Sequence, residues 1–325
     1  MSETLPTPVA TRPGSRTWLA VWALLAVTVI WGATFVWMKQ GLTAAETKLG
    51  PGHTDAGVAL FMLLRFGAAA LILFVCVPSV RRDLDARHWQ SGRTLGFLLF
   101  LGFALQMFGL DQVSPAVSAF LTSLYVLFTA LISAVRARRG IRLALGVGVV
   151  CATLGAGLIR GRPELGFTLG ELFSVGCAFV FALHILLTDR VTRVEAPLPV
   201  TFTTFVWTAV GSAILLGWTS LAEGAPGLRV LVDLCLEPAF FWPLALSCVF
   251  ATVVAISLMN VFQRELDPVR AAILYAFEPI WAAVFAIALG LDRFTLWLVV
   301  GGAILLAGNL IAELGQGQKQ AAQPS

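Results

Sequence analysis

Two charged residues stand deep inside long apolar runs of this chain. Arg65 lies in LRFGAAALIL (64–73), and Glu278 lies in LYAFEPIWA (274–282), followed at once by Pro279. Between Arg270 and Asp292, Glu278 alone is charged at neutral pH. Further hydrogen-bonding groups sit in comparable runs: Gln106, Thr122, Ser123, Tyr125, His184, Asn260 and Tyr275, with Lys39 closing the first run and Trp207 inside another. This set suits recognition better than catalysis. No nucleophile stands beside a base, and His53, His88 and His184 are scattered. The five cysteines form no CxxC and no Cys/His ligand spacing, so neither a metal nor a disulfide framework is expected, and no cofactor. GVGVVC (146–151) lies in an apolar run with no strand before it, so it is no nucleotide loop.

The elements that must hold these groups follow from composition. The chain has 325 residues, 58% of them hydrophobic and 12% charged, with mean hydropathy +0.87. A soluble domain carries about 25% charged residues. The chain is therefore read as an integral membrane protein. Spans of about 20 apolar residues fall at roughly 18–38, 57–78, 94–112, 116–135, 143–160, 169–188, 199–221, 239–262, 269–290 and 294–313. Ala, Leu, Val and Gly dominate them, which indicates helices and not barrel strands. The first run ends in WGATFVWMK and reads as a retained span, not a cleaved signal.

With the N-terminus inside, the cytoplasmic links hold Arg12, Arg16, Arg81, Arg82, Arg87, Arg93, Arg136, Arg138, Arg139, Arg142, Arg190, Arg193, Arg264, Arg270 and Lys319. The outer links hold Lys39, Lys48, Arg160, Arg162, Arg229 and Arg293. The positive-inside rule then puts both termini in the cytoplasm. The net charge of +4 reflects this bias and implies no nucleic-acid partner. The outer stretch 223–238 reads as interfacial, and 1–17 and 315–325 as cytoplasmic tails.

The second half repeats the first. At an offset of 153 residues Pro115 meets Pro268, Ala119 meets Ala272, Gly148 meets Gly301 and Gly155 meets Gly308. A unit of five helices is odd, so its second copy enters the membrane inverted, an arrangement typical of secondary transporters. The unit boundaries are placed at 18–163 and 164–314. Gly148, Gly155, Gly301 and Gly308 are expected to pack helices closely. In this register Tyr125 is the mate of Glu278, and Val126 the mate of Pro279. Only the second copy is thus expected to bend, at Pro279.

WGATFVWMK (31–39), LRFGAAALIL (64–73), SPAVSAFLTSLYVLFTALIS (114–133) and LYAFEPIWAAVFAIALGLDRFTLWLVVGGAILLAGNLIA (274–312) carry a resemblance to the drug/metabolite transporter superfamily, specifically its EamA-type members. The resemblance implies a ten-helix carrier of the prokaryotic inner membrane, with two inverted five-helix repeats and cytoplasmic termini. Helices one to four and six to nine would line a central cavity. Its members commonly export amino acids, other metabolites or drugs. The chain departs at Asp292, where the family usually has glutamate, and at Phe181, where it often has tryptophan.

The pathway candidates are therefore Lys39, Arg65, Gln106, Tyr125, His184, Trp207, Asn260, Tyr275 and Glu278. Arg65 and Glu278 each lie roughly 12 Å deep, from opposite faces, at 1.5 Å per residue. An ion pair between them is one expectation, and separate roles in a wet cavity the other. Lys39 snorkels to headgroups or meets an anionic cargo. His184 packs or carries a proton. Partners are lipid and a small-molecule substrate. Sugar-phosphate, nucleotide-sugar or lipid-like cargo is the alternative within transport, while a membrane enzyme or a channel fits the residue set poorly. Coupling to a proton or a counter-substrate and the oligomeric state are left open.

Overall fold

The computed structural model describes residues 15–50, 53–136, 143–159, 168–222, 228–266 and 274–320, and among these every regular element is helical. In lipid a helix satisfies all its backbone polar groups within one segment. The first copy contains α1 (Ser15–Leu49), α2 (Thr54–Cys76), a short α3 (Pro78–Asp83), α4 (Ala86–Gln112), α5 (Pro115–Thr122), α6 (Tyr125–Arg136) and α7 (Leu143–Leu158). The second contains α8 (Leu169–Thr192), α9 (Pro197–Ala222), α10 (Leu228–Leu236), α11 (Pro238–Leu246), a π-helical turn (Ser247–Val254), α12 (Ala255–Phe262), α13 (Glu278–Ala288) and α14 (Leu296–Gln320).

Seven helical segments are long and apolar enough to cross a bilayer, counting α5 with α6 and α11 through α12 as single segments. Leu143–Leu158, Glu278–Ala288 and Leu296–Ala312 are shorter apolar helices. The expected span at 269–290 is helical at 274–275 and again over Glu278–Ala288, and its start, 269–273 with Arg270, lies outside the described residues. The first span was placed at 18–38, but α1 runs unbroken to Leu49. Nothing stops it before Gly50, whose φ of 85° only glycine adopts readily. Within the stretch 223–238, Leu228–Leu236 forms α10, with Leu234 fully buried and Leu236 exposed, and 223–227 lie outside the described residues.

Helix starts follow their sequence signals. Asp85 accepts from the N–H of Arg87 and His88 to cap α4, and Thr168 with Glu171 caps α8. Pro115, Pro197 and Pro238 each open a helix, where a missing N–H costs nothing. Exposed rings stand near several helix ends: Trp18 and Trp22 early in α1, Trp89 early in α4, Trp218 late in α9, Trp242 in α11, and Phe294 and Trp297 at the start of α14. Of the cysteines, Cys177 and Cys248 are buried, whereas Cys76 at the end of α2 is exposed.

The four glycines lie where α7 approaches α14. A Cβ on Gly148 would lie 2.7 Å from the carbonyl oxygen of Gly308, and one on Gly155 would lie 2.6 Å from that of Gly301. The partner order reverses, so α7 and α14 run antiparallel, backbone against backbone. At an offset of 153 each of these two contacts also maps onto the other.

Candidate functional site

The two copies break their helices at the same place. In the first, α5 ends at Thr122 and α6 starts at Tyr125, with a turn at Ser123 and Leu124. In the second, helix resumes at Glu278 after a turn at Ala276 and Phe277. The turns are 153 residues apart. The first copy was expected to run straight, so this is a correction: it bends without a proline. Pro279 stands second in α13, where it starts a helix and breaks none. Asn309 of α14 supports the first break by donating to the carbonyl and the hydroxyl of Ser123, each at 3.1 Å. Asp292 accepts from the N–H of Ala116 at 3.1 Å, so the shorter acid of this chain holds the start of α5.

Each break places its first new helical residue toward the other copy. The Tyr125 hydroxyl donates to Glu278 Oε2 at 3.3 Å. Partners that are repeat mates can touch only near the axis relating the copies, so this bond marks that axis. Glu278 is 8% exposed and sits in the first turn of its helix, where the helix dipole favours a carboxylate.

Around this point lies a cavity walled by α1, α2, α4, α5, α6, α8, α9, α12, Gln263, Tyr275 and Glu278, with no lining from α7 or α14 among the described residues. Arg65, Gln106, Tyr125, His184, Asn260, Tyr275 and Glu278 all face it. The rest of the wall is mostly aliphatic or aromatic, including Trp31, Phe35, Phe103, Phe181 and Phe205. The Arg65–Glu278 pair does not form. Arg65 Nε donates to Thr252 Oγ1 at 2.7 Å and Nη1 to Met38 Sδ at 3.2 Å, while its guanidinium carbon stands 4.6 Å from the Phe103 ring centre. The two charges belong to different helices facing one space, and each has neutral partners.

The π-helical turn explains part of this. Its wider winding leaves the Ala251 carbonyl to the Trp31 indole N–H at 3.1 Å. The Thr252 hydroxyl donates to Ser247 and accepts from Arg65. Such turns recur at functional sites, and nothing in the apolar run SCVFATVV announces one.

Two other candidates lie elsewhere. Lys39 neither snorkels nor lines the cavity. Its Nζ donates to the carbonyls of Leu110 at 2.9 Å and Asp111 at 2.7 Å, among the last acceptors of α4. Because α1 continues for ten residues beyond it, the lysine is a clamp between helices. Trp207 is absent from the lining and packs over Gly96, where a Cβ would lie 2.5 Å from its own.

The cavity continues into a second lobe. His184, Thr188, Asn260 and Gln263 are shared with a second lobe that reaches Asp189 and Thr192. Asn260 donates to Thr201 at 2.7 Å, and Tyr275 donates to Gln263 at 2.9 Å. His184 Nε2 and Thr188 Oγ1, one turn apart on α8, are buried with no partner. Gln263, Thr188 and Thr252 were not picked out from the sequence, since polar residues near helix ends or single threonines carry no signal. At the opposite end an apolar cluster closes the bundle, including Met38, Leu42, Phe61, Met107, Leu110 and Phe240.

An all-helical bundle with multiple spans and a largely apolar cavity walled by both halves is a multi-pass membrane transport protein. The chain belongs to the EamA-like transporter family, which matches residues 18–161 and again 168–313. It is 25% identical over 292 residues to an uncharacterized transporter of Archaeoglobus fulgidus, covering 90% of this chain and 84% of that one. It is 22% identical over 287 residues to the uncharacterized transporter YoaV of Bacillus subtilis, covering 88% and 93%. A solved crystal structure, 17% identical with a TM-score of 0.56, shares the fold over 90% of this chain and 98% of its own.

Proposed function

We propose that the chain is a secondary carrier that exports small metabolites, amino acids or drug-like compounds across a prokaryotic inner membrane by alternating access. In this reading ten helices cross the membrane as two inverted units, 18–163 and 164–314, with cytoplasmic termini. The three shorter apolar helices complete the ten. The antiparallel glycine contact of α7 with α14, whose two halves map onto each other, supports the inversion. The basic residues put the lobe at Asp189 and Thr192 on the cytoplasmic side, so the cavity faces inward in this state.

One observation carries the reading. Two helix breaks at matching positions meet through Tyr125 and Glu278 inside a cavity that both copies wall. Broken helices at a repeat interface near mid-membrane are where transporters bind cargo. Phosphate-bearing cargo fits less well, because among the described residues Arg65 is the sole Lys or Arg in the lining. The test is exchange in liposomes with compounds taken from an export screen. Saturable counterflow is expected. Single-channel currents, or turnover of the compound, would place the protein in another class.

A further inference from the structure

Arg65 is 1% exposed, yet its guanidinium has no carboxylate oxygen within 4.0 Å among the described residues. Its protein partners are one hydroxyl, one thioether and the rings of Phe66 and Phe103. The second terminal nitrogen, Nη2, bonds to no described residue, while the side chain borders the cavity. A buried cation held only by neutral groups is costly, several kcal/mol on general grounds. Ring faces and a thioether recover part of that cost and leave Nη2 uncommitted. Gln106, one turn along α4 from Phe103, faces the same space and its amide bonds to no described residue. A planar cation edge, a neutral amide and walls of Trp31, Phe35, Phe181 and Phe205 define a complement: a carboxylate on a flat apolar body.

We infer that the cavity selects organic carboxylates with an aromatic or apolar body, and that Arg65 receives the carboxylate. The Thr252 hydroxyl acts through Arg65 as a positioning group, fixing Nε and so turning the opposite edge toward the cargo. Glu278 does not compete for the guanidinium because Tyr125 holds it at the axis. The inference rests on the carrier reading only in taking the cavity as the cargo site.

The test is binding to purified protein in lipid nanodiscs, read by the fluorescence of Trp31 and the other indoles and by calorimetry. The probes are phenylacetate, its neutral isostere phenylacetamide, and phenethylamine. Phenylacetate is expected to bind about tenfold or more tightly than either, the difference expected of a hydrogen bond to a charged group. Arg65→Gln should abolish the preference for acid over amide, and Arg65→Lys should retain part of it. The wild-type comparison stands even if loss of the buried arginine impairs folding. Thr252→Val keeps the guanidinium and should weaken phenylacetate several-fold while leaving phenylacetamide unchanged. Equal binding of acid and amide, tightest binding of the amine, or no binding of any probe at millimolar concentration overturns the inference. Acid-selective binding without flux in liposomes would instead sink the carrier reading and leave the Arg65 site standing. Flux of other compounds without acid preference would do the reverse.

Discussion

The first copy bends at Ser123 and Leu124, and the second at Ala276 and Phe277. The backbone event is the same, but the side chains that occupy it are not. Tyr125 faces Glu278, Val126 stands where Pro279 stands, and Asn309 braces only the first break. The difference teaches that the bend belongs to the fold, while the charge was assigned to one copy. A proline at the second position of a helix suits a break that exists for other reasons. The apolar pair α7 and α14 makes the opposite case. There both copies supply the same residue type, and the contact is backbone against backbone.

Changes to these places separate shared architecture from divided chemistry. The largest effect is expected at the glycine contact. Gly155→Leu puts a side chain against the Gly301 carbonyl and the Leu305 amide, and rigid backbone cannot yield. Overpacking of this kind costs about 1–3 kcal/mol or more, so folded yield after size-exclusion chromatography should fall sharply. A normal yield would mean that α7 and α14 do not meet there. Next comes the axis. Glu278→Gln is expected to keep the fold and lose most transport, measured as export at matched membrane abundance. Tyr125→Phe removes the donor to that carboxylate and should reduce transport less.

The exchange Tyr125→Glu/Glu278→Tyr probes the comparison itself. If the two positions are related by the axis, the double variant restores the hydrogen bond, and its melting temperature should exceed those of both single variants. No recovery would show that the surroundings of the two sites are too different for the bond to re-form. Lys39→Met frees the carbonyls at the C-terminal end of α4 and should lower the melting temperature modestly, with a hydrogen bond to a charged group worth about 1.5–3 kcal/mol. The smallest effect belongs to Pro279→Ala. The break should persist, as it does over Val126, and transport should fall by less than half. Loss of transport comparable with Glu278→Gln would restore the proline as the cause of the bend.

Much of the fold was legible in the sequence. Long apolar runs announce spans because lipid admits few alternatives, and the spacing of Gly148, Gly155, Gly301 and Gly308 announces close packing because small residues on one face have little other use. The cavity groups Arg65, Gln106, Tyr125, His184, Asn260, Tyr275 and Glu278 were legible because a polar side chain in an apolar run needs a reason. Partners were not. Arg65 was offered to Glu278 on depth alone, and depth says nothing about azimuth around the bundle. Lys39 was misread because the end of the apolar run was taken as the end of the helix, while α1 continues as charged and polar helix to Leu49. Trp207 was included for its chemistry, but it stands outside the cavity lining, with its Cβ against Gly96. The π-helical turn at Ser247–Val254 left no trace in residue type, so Thr252 could not be found from sequence.

The central claim is that cargo passes the axis where Tyr125 and Glu278 meet. The direct measurement is a metabolite profile of the medium from a bacterial host that overproduces the chain, beside hosts carrying Glu278→Gln or Arg65→Ala at equal membrane abundance. At least one compound is expected to accumulate several-fold outside the wild-type host and to return to background with Glu278→Gln. The same export profile from wild type and Glu278→Gln would contradict it.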